Sequence, residues 1–470
     1  MINCKISEGF QASGTHIIFV GQEDFEKTLE TYLGKNLPPV FEASYAEVQI
    51  MQKKNALFFL AGIGNKTDVS AIFQAALKFS YKYGKQLKNT TVNYHLPDNF
   101  NRQQSLAAYK GFFLGAYNLK NKTEHILYNS EATLNTTAAH HQLAKEALIL
   151  ANAQITSMNW LNKPANKKSG PVIADFVKQL AEKYNLECTV YNREKATREK
   201  LEAYLAVNRA SEHDAAFIIL KYKHPQPKKT IGLVGKCVTF DTGGISIKPS
   251  QNLHYMKSDM GGATAVLGTF QAIAEMQLPV NAIGIIPATD NAVSEKAYLP
   301  SDVINSHSGK TIEVIDTDAE GRLTLADGLS YVIKNYNPEI VIDLATLTGS
   351  AVRTFGYECA ALFSNNNTMI EQLKKAGEAS GEKVWPLPMW ENYEKNLQSD
   401  IADIKNYSGK PITGAIDAAI FLKNFTHGHE AWAHLDIAGV AFGNTPFGKD
   451  KTATGYGVQL LITYLKTITT

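Results

Sequence analysis

Short apolar runs alternate with amphipathic helical patterns along almost the whole chain. Apolar residues occupy both faces of the predicted strands at residues 16–20, 56–63, 230–240 and 280–287. Between such runs, apolar residues recur at helical spacing, as they do over residues 69–87. Strands that are apolar on both faces are typical of a mostly parallel sheet covered by helices. The pattern therefore predicts α/β architecture.

A break in this pattern divides the chain into two parts. A chain of 470 residues is too long for one ordinary core, because domains usually have about 100–200 residues. The helical pattern over residues 137–161 ends at Asn162-Lys163-Pro164, and the alternation of strands and helices then restarts. We expect an N-terminal α/β domain over residues 1–155, ending in a connector helix. The second domain should cover residues 156–470 and contain a mixed, mostly parallel sheet.

Charge and composition exclude several classes of protein. The formal net charge of +2 gives no electrostatic case for nucleic acid as a partner. No apolar run reaches the roughly 20 residues that span a bilayer, and the start of the chain lacks the features of a signal peptide. The four cysteines lie far apart, so neither a disulfide framework nor a thiolate zinc site is predicted. We expect a cytoplasmic protein without a membrane segment.

Polar residues interrupt the predicted buried strands at a few places. Lys236 and Asp241 lie where the strand over residues 230–240 should be apolar, and Asp259 follows shortly after. Residues 316–322 then bring three acids and an arginine into seven positions. If that segment is extended, alternate side chains such as those of Asp318, Glu320 and Arg322 share one face.

Four of these acids could bind metal ions. Buried carboxylates destabilise one another unless they are paired or bound to metal. Two divalent cations would balance the four charges of Asp241, Asp259, Asp318 and Glu320, and magnesium, manganese or zinc would suit oxygen ligands. The structural alternative is that these acids cap helices, form turns or make surface salt bridges. That alternative is stronger for any single residue than for the whole group.

At these residues the sequence resembles the leucine aminopeptidase (cytosol aminopeptidase) family. The resemblance covers about residues 160–470, and the Thr-Asp-Ala-Glu-Gly-Arg stretch is highly specific to the family. The first 150 or so residues match the family's variable N-terminal domain by position and length. The matching segments are residues 234–236, 240–249, 256–262, 317–322, 345–349 and 432–439.

The resemblance implies a centre of two divalent metal ions, zinc or manganese, with magnesium and cobalt as further candidates. Asp241 and Glu320 would bridge the two ions. Lys236 and Asp259 would complete one site, and Asp318 would bind the other, more exchangeable ion. A lysine ligand must be neutral, and burial beside a cation lowers a lysine pKa.

The resemblance also assigns two catalytic residues. Lys248 would polarise the scissile carbonyl or stabilise the oxyanion. No spare carboxylate or histidine falls in these motifs, and in the family the counterpart of Arg322 holds a bicarbonate ion that acts as the general base. The alternative for Arg322 is an ion pair with Asp318 or Glu320.

The activity implied is removal of N-terminal, apolar, leucine-like residues from short peptides. Met256, Thr346 and Gly349 match family positions that line the side-chain pocket. The family forms a homohexamer of two trimers whose active sites face an interior cavity. Three residues depart from the family pattern and put the substrate and metal preferences in doubt: Asp316 in place of Asn, Cys237 in place of Gly, and Tyr407 in place of an aliphatic residue.

Two other functions stay open on the sequence alone. A catalytically silent binding or scaffolding protein could share the fold, although every ligand position is intact. A metal-dependent hydrolase of another class, such as a phosphoesterase, could use the same acids, although Lys236 as a ligand fits a peptidase better. His429 and His434 resemble an HExxH zinc motif but are five residues apart, so on a helix they could not face one metal. We interpret His434 as a hydrogen-bonded core histidine or one that supports a metal ligand.

Overall fold

A computed structural model describes residues 1–23, 25–34, 41–66, 68–87, 91–120, 126–128 and 131–469. The chain separates into two compact units. The first consists of Met1–Ile155 with the short segments Glu378–Gly381 and Pro446–Lys449, and the second contains the remaining residues. Every helix in the described ranges is too short or too polar to cross a lipid bilayer.

The first unit is built around a six-stranded sheet. Its strand order is β1-β6-β5-β2-β4-β3, and all neighbours are parallel except β3 and β4. The strands are β1 (Lys5–Glu8), β2 (Gly14–Gly21), β3 (Val48–Lys53), β4 (Ala56–Gly64), β5 (Thr91–His95) and β6 (Thr133–Thr136). The α-helices are α1 (Phe25–Leu33), α2 (Val69–Tyr83), α3 (Arg102–Leu114) and α4 (Ala138–Asn162), the last of which ends in the residues of the second unit.

The second unit contains a nine-stranded sheet, a three-stranded sheet (β12-β13-β17) and a two-stranded sheet (β19-β20) among its described residues. Its strands are β7 (Glu187–Tyr191), β8 (Ala216–Tyr222), β9 (Lys229–Gly235), β10 (Cys237–Asp241), β11 (Val280–Asn291), β12 (Val303–Asn305), β13 (Thr311–Glu313), β14 (Ile340–Ala345), β15 (Ala360–Ser364), β16 (Val384–Pro386), β17 (Ile404–Lys405), β18 (Trp432–Asp436), β19 (Phe442–Gly443) and β20 (Thr452–Ala453). Its α-helices are α5 (Gly170–Tyr184), α6 (Arg193–Arg198), α7 (Glu202–Asn208), α8 (Gly261–Met276), α9 (Glu320–Tyr336), α10 (Gly349–Phe355), α11 (Asn367–Ser380), α12 (Gly414–Lys423) and α13 (Val458–Thr469). Short 3₁₀ helices cover Gly84–Gln86, Ile126–Tyr128, Ala165–Lys167, Leu253–Ser258 and Glu391–Leu397.

The large sheet is mixed and mostly parallel. Its order is β16-β15-β18-β14-β9-β11-β8-β7, and β10 pairs with β11 beside this path. The central strands β18, β14, β9 and β11 are parallel, whereas β8 and β7 are added antiparallel at one edge. Apolar side chains of α7, α9 and α12 form a continuous core against these strands. The predicted α/β class with a mostly parallel sheet is confirmed.

The predicted strand over residues 230–240 is in fact two strands. It divides at Lys236, whose backbone N–H donates to the Leu344 carbonyl while its own carbonyl accepts from Ala263 N–H. Lys236 therefore leaves the ladder that β9 forms with β11, and β10 resumes pairing with β11 in the same register, which shifts only between Val238 and Asp241. The apolar sequence pattern does not reveal this break, because the residues on both sides of Lys236 are buried.

Candidate metal centre

Several polar residues meet at one edge of the large sheet because its central strands are parallel. Lys236 follows β9, Asp241 ends β10, Asn291 ends β11 and Thr346 follows β14. The carboxyl ends of parallel strands share one edge, which is where ligand sites form in open α/β sheets. The sequence thus brings together side chains that are up to 110 residues apart.

Three buried carboxylates form the centre of this site. Asp241, Asp259 and Glu320 each place an oxygen so that these atoms all lie within 4.8 Å of one another. Asp241 comes from a strand, Asp259 follows the 3₁₀ helix Leu253–Ser258, and Glu320 begins helix α9. Three acceptor groups of this kind can hold a divalent cation.

Lys236 lies in the middle of these acids. Its Nζ is 2.8 Å from Asp259 Oδ2 and 2.9 Å from Glu320 Oε1, and it donates to the Thr346 carbonyl at 3.1 Å. Gly321 makes room for this side chain, because a Cβ atom there would lie 2.5 Å from Lys236 Nζ. The close approach of Lys236 therefore favours glycine at position 321, a reason that the motif alone does not reveal.

Asp241 is fixed by two donors to the same oxygen. Its Oδ1 accepts from Gly243 N–H and from Asn291 Nδ2, both at 2.8 Å. Asn291 also donates to the Thr317 carbonyl at 3.0 Å, so it joins β11 to the acidic loop. Sequence reasoning missed Asn291, although the polar residues that end the apolar run of β11 were a usable signal.

Lys248 connects the buried acids to Asp318. Its Nζ is 2.8 Å from Asp241 Oδ2 and also forms an ion pair with Asp318 Oδ1. The Asp318 side chain is 33% exposed, unlike the three buried acids. The structure therefore brings Asp318 to the edge of the cluster rather than into its centre.

The site carries more negative than positive charge. When all groups are ionised, the four carboxylates of Asp241, Asp259, Asp318 and Glu320 face the two ammonium groups of Lys236 and Lys248, which leaves two negative charges. Burial raises the pKa of Asp259 well above its usual range, and Lys236 opposes that rise. Burial and then the charge of Asp241 raise the pKa of Glu320.

The two lysines respond in the opposite direction. Burial disfavours the charge on Lys236, but the neighbouring carboxylates outweigh burial and raise its pKa. The same balance raises the pKa of Lys248. Each lysine therefore carries a proton at neutral pH when the carboxylates are its partners.

The donor set fits divalent metal ions. Both Glu320 oxygens and the Oδ2 atom of Asp259 are buried without a hydrogen-bond partner among the described residues, although Lys236 lies within ion-pair distance of two of these three atoms. Asp318 Oδ1 is in the same condition beside Lys248. Buried polar atoms are normally hydrogen-bonded, so oxygens left in this state are suited to ligation. Bound cations would also neutralise the two excess negative charges.

Arg322 lies two residues after Glu320, on the first turn of α9. It is buried, its Nη1 donates to the Asn406 carbonyl at 2.9 Å, and its Nε has no partner. Within the described ranges no carboxylate lies at ion-pair distance from it, so the alternative ion pair with Asp318 or Glu320 does not form here. Burial lowers the pKa of Arg322, and the charges of Glu320 and more distant acids oppose that change.

The acidic loop differs from the extended segment considered above. Asp316 Oδ1 accepts from Asp318 N–H at 2.8 Å, the Ala319 N–H donates to the Asp316 carbonyl at 3.3 Å, and α9 begins at Glu320. The loop is a turn because the Asp316 carboxylate replaces a backbone acceptor. The prediction that Asp318, Glu320 and Arg322 share one face of an extended strand is therefore wrong. Asp318 lies in a turn, and Glu320 and Arg322 lie on the first turn of α9.

The three residues predicted to line a substrate pocket lie in two places. Met256 is half-buried on the 3₁₀ helix Leu253–Ser258, three positions before Asp259. Thr346 lies at the cluster of buried acids, where its hydroxyl donates to Asp259 Oδ1 at 2.8 Å. Gly349 is exposed at the start of α10.

The structure shows the surroundings of three further residues in this region. Tyr407 is half-buried and its hydroxyl donates to the Lys410 carbonyl at 2.8 Å. The neighbouring Asn406, which sequence reasoning did not single out, is buried and its Nδ2 donates to the Asp316 carbonyl at 2.7 Å. Asn406 thereby contacts both the acidic loop and Arg322. Cys237, next to Lys236 in the chain, is buried, and burial raises its pKa to about 12.

Comparison with known proteins agrees with this geometry. The family model described as the catalytic domain of the cytosol aminopeptidase family (peptidase M17) matches residues 156–462. A probable cytosol aminopeptidase of Chlorobaculum parvum is 47% identical over 324 residues, which are 69% of this chain and 64% of that relative, so the match spans less than two thirds of the relative's length. A probable cytosol aminopeptidase of Chloroherpeton thalassium is 38% identical over 440 residues, 87% of this chain and 86% of the relative.

A solved structure is similar over nearly the whole chain. The bottromycin maturation enzyme BotP in complex with Mn has a TM-score of 0.87 and 29% identity, and the match covers 98% of this chain and 100% of that one. The family match, which includes every predicted site residue from Lys236 to Gly349, confirms the resemblance that the motifs indicated. The chain belongs to the cytosol aminopeptidase family.

Proposed function

We propose that this chain is a metal-dependent aminopeptidase that removes apolar, leucine-like residues from the N-termini of short peptides. The observation that carries the proposal is the buried cluster of Asp241, Asp259 and Glu320 around Lys236, with oxygens that lack hydrogen-bond partners. Membership of the cytosol aminopeptidase family supports the peptidase over a phosphoesterase, which could use the same acids.

The cluster offers ligands for two ions. Lys236, Asp259, Asp241 and Glu320 would surround one ion, and Asp318 would join the shared carboxylates at the other. Two bound divalent cations would acidify the water that attacks the peptide carbonyl. Zinc or manganese would suit this mixed nitrogen and oxygen set, and the relative BotP was solved in complex with Mn. Magnesium and cobalt are further candidates.

Lys248 would act on the substrate carbonyl. Its ammonium stays charged because the pKa is raised by the acids that surround it, and its side chain is partly open to solvent on the Asp318 side. A fixed positive charge at that place would stabilise the oxygen that becomes negative during the reaction. Lys236, by contrast, is enclosed by acids and has little room to reach a substrate.

Arg322 would hold a bicarbonate ion as the general base. Its Nε has no partner within the described ranges, and no carboxylate neutralises it at ion-pair distance. A guanidinium with free donors binds planar anions such as bicarbonate in two-point fashion. The Asn406 carbonyl fixes the remaining edge of the guanidinium.

Substrate preference and assembly complete the proposal. Met256 and Gly349 would line the pocket for the N-terminal side chain, with Thr346 between that pocket and the metal ligands. Asp316 uses Oδ1 to accept the Asp318 N–H, so its carboxylate stabilises the loop, and it would add a negative charge near the pocket. A cytoplasmic homohexamer, which the family resemblance implies, would admit short peptides and exclude folded proteins.

Chelation of the purified protein tests the proposal. Aminopeptidase activity on leucine p-nitroanilide should disappear after exhaustive chelation, and manganese, zinc or cobalt should restore it. Phosphatase activity on p-nitrophenyl phosphate serves as the control for another metal-dependent hydrolase. A metal-loaded protein without peptidase activity on leucine, methionine or acidic nitroanilides would contradict the proposal and favour a binding protein on the same fold.

A further inference from the structure

Lys168 is a buried lysine that the proposed mechanism does not use. It follows the 3₁₀ helix Ala165–Lys167 and is 3% exposed, whereas the adjacent Lys167 is exposed. Within the described part of the chain, no carboxylate forms an ion pair with it. A buried ammonium normally has a charged partner, so its surroundings require an explanation.

Three backbone carbonyls surround the Lys168 ammonium. Its Nζ donates to the carbonyls of Trp160 and Leu161, both at 3.3 Å, and to that of Lys257 at 2.5 Å. The first two belong to the last turn of α4, where carbonyls have no partner within the helix and the helix dipole is negative. Lys168 therefore binds a helix end and, with its shortest contact, a separate segment of chain.

The second segment carries two residues of the proposed site. Lys257 lies directly after Met256 and two positions before Asp259 on the 3₁₀ helix Leu253–Ser258. The carboxylate of Asp259 is held by the Thr346 hydroxyl, and its carbonyl accepts from Val238 N–H at 3.1 Å. These contacts fix the segment at Asp259, whereas Lys168 fixes it at Lys257 and connects it to the end of α4.

The lysine is retained here at a cost in stability. Burial lowers the pKa of Lys168 to about 7, and the charges of Lys257 and Lys163 add to that effect. An apolar side chain of the same length would avoid this desolvation. The donors of Lys168 therefore serve a purpose that packing alone does not explain.

We propose that Lys168 is a positioning residue that sets the place of Asp259 and Met256 by tying the Lys257 carbonyl to the end of α4. The inference rests on the proposed function, since it assigns Asp259 to the metal centre and Met256 to the substrate pocket. Without Lys168, the Met256–Asp259 segment loses its anchor on α4. The ion that uses Asp259 should then bind more weakly, and the pocket should accept its apolar side chain less well.

Manganese titration of the metal-free protein tests this directly. Lys168→Met removes the donors but keeps the length of the side chain, and Lys167→Met removes the same charge from the exposed neighbour as a matched control. In Lys168→Met, one of the two manganese binding steps should weaken by about 10- to 100-fold, the range seen when groups that orient metal ligands are lost. The KM for leucine p-nitroanilide should rise more than kcat falls. Lys167→Met should match the wild type in both measurements.

Separate outcomes decide the inference and the function on which it rests. A folded Lys168→Met protein with wild-type manganese binding and KM would overturn the positioning role. If Lys168→Met does not fold, Lys168→Gln keeps a polar side chain that is too short to reach the same three carbonyls, so its manganese binding should weaken in the same direction. A wild-type isotherm for Lys168→Gln would then overturn the role. A wild-type protein that binds no manganese and cleaves no peptide would instead contradict the proposed function.

Discussion

Two buried acids of the second unit have opposite environments. Asp343 on β14 accepts from Trp432 Nε1 at 2.8 Å and contacts His434 Nδ1 at 2.5 Å, so both of its oxygens have partners. Glu320 at the start of α9 has one oxygen in an ion pair with Lys236 at 2.9 Å and no partner on the other oxygen within the described ranges. Both acids are buried, and each lies beside a basic side chain: His434 for Asp343 and Lys236 for Glu320.

This difference distinguishes a carboxylate that stabilises the fold from one that belongs to the candidate metal site. The Asp343 carboxylate pairs with His434 opposite it on β18, and the negative charge raises the His434 pKa against the effect of burial. Both oxygens of this carboxylate have partners without any ligand, although His434 Nε2 is buried with no hydrogen-bond partner among the described residues. Glu320 shares its lysine with Asp259 in a cluster that holds excess negative charge when all groups are ionised, so under the proposed function added cations would complete it. Unpartnered oxygens, rather than burial, indicate the functional acid.

Replacing each acid by its amide should give the largest contrast in stability. Asp343→Asn places an NH2 group against one of two buried donors, so the free energy of unfolding of this unit should fall by about 3–5 kcal/mol. Glu320→Gln removes one of the excess charges, so the metal-free variant should be at least as stable as the metal-free wild type. Urea midpoints of the metal-free proteins measure both changes. Equal destabilisation by the two substitutions would show that the clusters do not differ in this way.

Lys248→Ala should produce the next largest effect, on catalysis rather than stability. Loss of a charge aimed at the developing oxyanion costs about 3–4 kcal/mol in comparable sites, so kcat should fall by about two to three orders of magnitude while manganese content stays near normal. Arg322→Ala should have a milder effect and should abolish any stimulation by bicarbonate in carbonate-depleted buffer. An Arg322 variant that sheds its metal ions would identify the residue as a structural element of the cluster instead.

The fold class and the segments that carry the clustered acids could be predicted from the sequence. Strands that are apolar on both faces are recognisable because burial on both sides leaves no polar alternation, and the polar residues that interrupt them mark the sheet edge. His434 was expected to be a hydrogen-bonded core histidine or one that supports a metal ligand, and its bond to Asp343 agrees with the first possibility. In both cases the local pattern contained the relevant information.

Contacts between distant segments could not be predicted in the same way. Asn291, Asn406 and Thr346 are ordinary polar residues in sequence, and their importance comes from the atoms they reach: Asp241, Arg322 and Asp259. The break at Lys236 depends on carbonyl and amide partners in α8 and β14. Such three-dimensional pairings leave no local periodicity.

Gly321→Ala tests how tightly the acids around Lys236 are packed and should have a moderate effect on stability. The new methyl group would lie 2.5 Å from Lys236 Cε and Nζ, so Lys236 would have to move away from its acids. Overpacking of this kind typically costs about 1–3 kcal/mol, and the thermal midpoint should fall accordingly. Gly443→Ala is the matched control, because no atom lies within 4 Å of the Cβ position there among the described residues. Equal midpoints for the two variants would mean that Lys236 moves aside freely.

The smallest expected effect is a pH dependence that arises at Asp318. Burial and the charge of Asp241 raise the pKa of Asp318 from 3.8 to about 7, although its partial exposure allows solvent to screen the interaction. Because the folded state holds this proton more tightly than the unfolded state, the contribution to stability is complete below about pH 4 and is lost as the pH rises to about 7. The metal-free protein should therefore become less stable between pH 5 and pH 7, which urea midpoints at several pH values can measure. Asp318→Asn should flatten this slope, whereas saturating manganese should remove or reverse it, since a cation favours the ionised carboxylate. An unchanged slope in Asp318→Asn would place the titrating group elsewhere, and the edge of the cluster would then be as fully satisfied as Asp343.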